Sequence, residues 1–277
     1  MRQFHRLGFP LSLMIVGLLG SPVPGEAQFD LSPAIWDENI SLSVGSTSTS
    51  FSGSDLAVPE PHTEDLSGVG YDVTGSVGFG TAGPPEGTAT VTWNVAEGGP
   101  SLQLSSSVSI DFQLRVIATG TPPVAVSEVP VRLVATGSGS AQEIFGSRAT
   151  ASFRFQAPGT PVLITDTIDV DGNPGSPNPA VDAFTIDEMV SLPVDSVVLV
   201  GMSATASMGV VSVPAATTGS ATGTIDPVVE VVDETIPGTS SSYREYFLIE
   251  FSEGYDAQTP VKRATFGELK ARYGEQP

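Results

Sequence analysis

The chain has 277 residues, with 31 acidic against 11 basic side chains, a formal charge of −20 and no cysteine. A surface this acidic repels nucleic-acid phosphates and anionic lipid, which argues against both as partners. The lack of cysteine removes disulfides, thiolate metal sites and cysteine nucleophiles, so the fold must rest on its core, and a chain of this length can build a large one.

Residues 1–27 read as an export signal. Arg2 and Arg6 precede the apolar run LGFPLSLMIVGLLG, and Gly25 and Ala27 are the small residues before an expected cut between Ala27 and Gln28. The apolar run, Leu7 to Leu19 with Pro10 inside it, is short for a bilayer span of about 20 residues, and no later stretch is longer. The expected product is a secreted, extracellular or cell-surface protein that does not insert into membrane after cleavage, and exported chains without cysteine point to a bacterial source. The cut removes Arg2, Arg6 and Glu26 and leaves 9 basic against 30 acidic residues, a charge of −21. Between Gln28 and Pro260 the basic residues are Arg115, Arg132, Arg148, Arg154 and Arg244, with no lysine. Such a surface suits salty water and attracts divalent cations; composition does not separate salt adaptation from calcium loading.

Trp36 precedes the first expected strand, where an exposed indole could stack on a sugar ring, and it is the candidate ligand-binding residue. His62, the one histidine after the expected cut, sits in PEPHTED between prolines and acids, the setting of a solvated loop histidine. With no GxSxG elbow, no multi-histidine set, no P-loop and no dinucleotide fingerprint, the chain offers no hydrolytic triad or nucleotide site.

Strands follow in order. YDVTGSVGF alternates Tyr71, Val73, Val77 and Phe79; TATVTWNV alternates Ala89, Val91, Trp93 and Val95, which makes Trp93 a core residue; SLQLSSSVSIDFQLRV alternates from Leu102 to Val116. Period-two alternation means one buried and one wet face, as in antiparallel sheets packed face to face. VPVRLVAT, RATASFRFQ, PVLITDTIDV, DSVVLVGMSATASMGVVSV, TIDPVVEVV and YREYFLIEFS continue the pattern, with GPPEG, EGGP, TGTPP, TGSGS, APGTP and IPGTS as expected turns. About ten strands, no helical periodicity between residues 30 and 257 and no linker predict one all-β domain over 28–257. The expected fold is an antiparallel β-sandwich, jelly-roll-like or immunoglobulin-like.

TIDVDGNPGSPNPAVDAF, residues 167–184, is the densest chemical signal. Asp169, Asp171 and Asn173 alternate oxygen donors around Gly172, Asn178 follows, and Asp182 or Asp187 could close a shell, so calcium is the candidate cofactor. The stretch fails the EF-hand template, because placing Gly172 sixth puts Thr167 first and Asn178 twelfth. Asp-Gly and Asn-Pro are also ordinary turn formers, and an acidic inter-strand loop is the competing reading. A calcium ion here would be weakly held and structural. Glu245 and Glu250, on opposite faces of the REYFLIEF strand by parity, read as surface charges rather than as a hydrolytic pair.

Residues 258–277, QTPVKRATFGELKARYGEQP, hold Lys262, Arg263, Lys270 and Arg272, four of the nine basic residues left after the cut. Thr265 can cap a short helix presenting Phe266, Leu269 and Tyr273, so the segment is either a separate tail or a terminal helix docked on the body.

The stretch from SVVLVGMSATASMGVV through Asp226-Pro227 to YFLIEFS resembles the final strands of PEP-CTERM-type ectodomains, exported bacterial β-sandwiches of unknown function. That family's sorting signal is missing: VPEP occurs at Val58–Pro61 but is followed by a β pattern. Thr265, Phe266, Gly267, Lys270 and Tyr273 are similar to a short terminal tag on some exported bacterial proteins. The leading reading is a secreted or cell-surface bacterial β-sandwich with a non-catalytic structural, adhesive or matrix role, with cell-surface or extracellular matrix components or glycans as partners. A carbohydrate-binding module, calcium-stabilised, is the alternative, and a jelly-roll hydrolase the third.

Overall fold

The computed structural model describes residues 31–55, 60–80, 86–142, 146–157, 163–172, 179–210, 216–253 and 255. The strands are β1 (Ile35–Val44), β2 (Thr47–Asp55), β3 (His62–Gly68), β4 (Tyr71–Phe79), β5 (Gly87–Val95), β6 (Leu102–Ala118), β7 (Glu128–Ala141), β8 (Ser147–Gln156), β9 (Leu163–Asp171), β10 (Ala180–Pro193), β11 (Val197–Val210), β12 (Thr217–Val231) and β13 (Phe247–Phe251). A single helical turn, α1 (Tyr243–Tyr246), precedes β13. Among the described residues no helix is long and apolar enough to cross a membrane.

Two antiparallel sheets face each other. The first runs β2-β1-β6-β11-β8-β9, and β13 pairs with β6 beyond the start of β1; the second runs β10-β7-β12-β5-β4-β3. β1 packs on β4, β6 on β5, β11 on β12, β8 on β7 and β9 on β10, so each strand of one sheet covers its counterpart in the other. The fold is the all-β sandwich expected from the alternation.

The inner phase of each strand makes the core. Ile40, Leu42, Val91, Trp93, Leu104, Ile110, Leu133, Phe153, Phe155 and Val200 are buried, and the stripe through β8, β11 and β12 is built from Ala149, Ala151, Ala204, Ala206 and Ala221. Small side chains there bring backbone against backbone. A Cβ on Gly223 of β12 would lie 2.7 Å from the Thr150 carbonyl oxygen of β8 and 2.9 Å from that of Thr205 on β11. Glycine in a strand interior marks such a close approach.

The outer phase is hydroxyl-rich and in register. On the first sheet one row runs Ser52–Asn39–Ser107–Thr205–Thr150–Asp169 across six strands. On the second a row runs Thr63–Ser76–Thr90–Thr222–Ser140–Val181. Some of these hydroxyls bond across strands, as Ser152 Oγ with Ser203 Oγ at 2.8 Å and Thr90 Oγ1 with Thr222 Oγ1 at 3.2 Å. Such pairs are worth a few tenths of a kcal/mol to about 1 kcal/mol each.

Three expectations change. TGSGS (136–140) is not a turn but the end of β7: Gly137 and Gly139 face inward, and the Phe184 ring lies where a Gly137 side chain would be. β1, β2, β3 and β10 join the strands expected. β2 and β3 are polar edge strands without clean alternation, and β1 carries an acid, Glu38, in its apolar phase. YREYFLIEFS is not all strand either: Glu245 belongs to α1, while Glu250 on β13 pairs with Arg115.

Candidate functional site

The acids of the 167–184 stretch are separated by the fold. Asp169 and Asp171 end β9 on the outer face of the first sheet, whereas Asp182 lies on β10, an edge strand of the second. The Arg148 guanidinium takes Asp169 with both of its donors, Nε to Oδ1 at 2.5 Å, and holds that carboxyl below its ordinary range; Asp171 lies 3.9 Å from the same Nε. Asp182 Oδ1 accepts from the Ala183 amide at 2.9 Å, and Asp187 is gripped by Arg132 through two bonds of 2.8 Å. Asn173 and Asn178 lie outside the described residues. Among the described residues no three His, Asp or Glu side chains are grouped to hold a metal ion. The expected convergence of Asp169 and Asp171 with Asp182 or Asp187 is therefore corrected: the first two lie on β9 of one sheet and the other two on β10 of the second.

Trp36 is also corrected. It is the second residue of β1, and the pleat turns it inward, so the ring is fully buried. It meets Phe79 edge-on at 4.6 Å and stacks on Tyr255 at 6.3 Å. A ring sealed in the core cannot stack on a sugar. Trp93 is buried as the alternation predicted, and Tyr243 and Tyr246 pack against the core from α1. A shallow depression does open on the outer face of the first sheet, where Ser41, Ser105 and Ser207 line up across β1, β6 and β11 and end at Arg148 and Asp171.

Another titratable constellation lies at the edge where β2 and β3 close the sandwich. His62 is not in a loop; it opens β3, stacks on Phe51 of β2 with ring centroids 3.6 Å apart, and places Nε2 3.0 Å from Glu64 Oε1. Thr49 Oγ1 of β2 donates to Glu64 Oε2 at 2.7 Å. Behind them Glu38 of β1 is buried at 3% exposure, opposite Gly53, and its Oε1 has no hydrogen-bond partner. Burial raises the Glu38 carboxyl, with His62 pulling the other way, while the His62 and Thr49 hydrogen bonds hold Glu64 low. Glu64 thus has two hydrogen-bonding partners at the edge, while Glu38 lies buried behind them. The constellation ties the two sheet edges together through side chains where no backbone ladder does. The pointer to it in the sequence is phase: Glu38 alternates with Trp36 and Ile40, and His62 and Glu64 with Leu66.

No protein-family model matches the chain, and no curated protein does. Among solved structures the chain is similar to one described as "Structure of infectious bursal disease virus Gx strain", with 12% identity, 80% of this chain and 62% of that chain covered, and a TM-score of 0.23. A likeness of that score carries no argument about fold or function.

Proposed function

We propose that this chain is an exported bacterial β-sandwich with a non-catalytic structural, adhesive or matrix role outside the cell or on its surface. The observation that supports the reading best is the pair of outer faces: broad ladders of serine and threonine hydroxyls in register over a sealed core. Faces of this kind make many weak polar contacts over a wide area, the requirement of a matrix or adhesive surface. The leader-like residues 1–27 and the absence of cysteine support export. Expression in a bacterial host with and without residues 1–27 tests the reading, with the protein followed in cytoplasmic, surface and medium fractions. Leader-dependent appearance at the surface or in the medium is expected; equal cytoplasmic retention of both forms would overturn export. Turnover of any polysaccharide, abolished by Glu38→Gln or Glu64→Gln, would overturn the non-catalytic role.

The glycan-binding reading keeps one observation in its favour, the row of Ser41, Ser105 and Ser207 hydroxyls leading to Arg148. Glycan-array binding lost in Arg148→Ala would favour it, whereas no binding to any glycan leaves the matrix role.

A further inference from the structure

The edge formed by β1, β2 and β3 is held differently from the body of the sandwich. β2 ends one sheet and β3 ends the other, and among the described residues the two strands meet through side chains alone. Phe51 of β2 stacks on His62 of β3 with ring centroids 3.6 Å apart and planes 17° apart. Thr49 of β2 donates to Glu64 of β3 at 2.7 Å, and the His62–Glu64 bond of 3.0 Å joins both contacts into one unit.

Glu38 lies beneath that unit. Its neighbour in register on β2 is Gly53, and the Phe51 ring fills the space a Gly53 side chain would take, with Cζ 3.0 Å from the site of its Cβ. Glu38 is thereby shut off at 3% exposure, whereas the His62 and Glu64 side chains keep 35% and 25%. The stacked Phe51 and His62 rings are the roof over a buried acid.

Few charges surround the roof. β1 brings Glu38 and β3 brings Glu64, while β4 sets Val77 opposite His62 and Gly75 opposite Glu64. Asp55, at the end of β2, and Glu60, ahead of β3, are exposed, and Asp65 accepts from Thr74 on the other face of β3. A proton on His62 therefore has only carboxylates for charged neighbours. It makes the Glu64 bond charge-assisted, adds cation–π attraction to the Phe51 stack and offsets the charge of Glu38. Once it leaves, those attractions go, and an ionised Glu38 is left in a site that water does not reach.

We propose that this edge is a proton-operated clasp: with a proton on His62 the Phe51–His62 roof closes over Glu38, and without it the roof lifts and β2 parts from β3. Burial raises the Glu38 carboxyl above 4.5, so its contribution acts in the same sense, favouring closure in acid and weakening it as pH climbs through the raised value. Glu64, held low by His62 and Thr49, keeps its charge above that range. The clasp does not depend on the role proposed above.

Amide hydrogen exchange of the full-length chain tests it between about pH 5 and pH 8, the range in which imidazole side chains change charge. Intrinsic exchange is divided out, and β6, which lies inside the sheet, serves as the internal reference. Protection of β2 and β3 relative to β6 is expected to fall about tenfold across that range, equivalent to about 1.4 kcal/mol. His62→Gln, which keeps a hydrogen-bonding side chain but takes no proton, should lose the fall. Glu38→Gln should leave β2 and β3 better protected than in the wild type at pH 8. Protection that is flat with pH in the wild type, or a fall that survives in His62→Gln, would overturn the clasp. Equal protection of Glu38→Gln and wild type at pH 8 would overturn it too, as would a fall shared equally by β6, which is unfolding of the whole sandwich.

Discussion

Gly223→Ala tests whether the two sheets meet backbone to backbone at the centre of the sandwich. The new methyl carbon would lie 2.7 Å from the Thr150 oxygen, 2.9 Å from the Thr205 oxygen and 3.2 Å from the Thr205 nitrogen, all backbone atoms of the facing sheet that cannot swing aside. Ordinary contact begins near 3.4 Å, so the sheets must part by roughly 0.7 Å at this point. A gap of that size forfeits a quarter to a half of the dispersion energy of the contacts it opens, and those include the alanine stripe of β8, β11 and β12. Overpacking of this kind costs about 1–3 kcal/mol, against a gain of about 0.4–1 kcal/mol from stiffening the unfolded chain. A net loss of about 1 kcal/mol corresponds to a drop in Tm of roughly 2–4 °C for a domain of this size. Urea unfolding should show a lower midpoint at unchanged slope. Gly209→Ala is the control: nothing lies within 4 Å of its added methyl group, and the same measurement should find it neutral or slightly stabilised. Gly223→Ala matching Gly209→Ala would refute the close approach.

Trp36→Ala should cost about 3–5 kcal/mol of stability, because it empties a fully buried site under Phe79 and Tyr255; a folded, undiminished variant that loses only sugar binding would restore the exposed-ring reading. Burial raises the Glu38 carboxyl above its ordinary value of 4.5, so the folded chain binds that proton more tightly than the unfolded chain. The Glu38 contribution is thus favourable below about pH 4.5 and is lost as pH climbs through the raised value, and Glu38→Gln should gain stability over the wild type by about 1–3 kcal/mol between pH 4 and pH 8. A mutant whose advantage falls with pH over that range contradicts the buried carboxylate. Millimolar calcium, compared with chelator, should leave the wild-type Tm unmoved, since Arg148 occupies Asp169 and Asp182 lies in the other sheet. A calcium-dependent rise abolished by Asp169→Ala/Asp171→Ala would return the calcium site. Arg148→Ala should itself cost under about 1 kcal/mol, because the ion pair it breaks is exposed to solvent.

Alternation made the central strands legible. From Tyr71 to Phe79 and from Leu102 to Val116 nearly every second residue is apolar, and these runs fall within β4 and β6. The edges were harder to read. β2 and β3 bury only part of one face, so Thr49, Phe51, His62 and Glu64 do not stand out against the serines, threonines and acids around them. Glycine also misled at TGSGS, because the residue that permits a turn permits equally well a ring packed over a strand. Ser106 breaks the inward phase of β6 and is nonetheless fully buried beside Gly75, and nothing in the pattern of β6 alone says why a hydroxyl is tolerated there.

The sequence by itself determined the class of fold, the reliance on a core without disulfides, the acidic surface and the basic, aromatic segment that follows the body, since each depends on composition or on local period. The tertiary structure decided which side chains meet. Asp169 and Asp182 are 13 positions apart in the chain, yet the crossover between β9 and β10 sends them to different sheets. Glu38 and His62 are 24 positions apart, yet the edge formed by β1, β2 and β3 brings them into electrostatic contact. Sheet pairing is a long-range choice, and a site assembled across strands exists only once the register has been set.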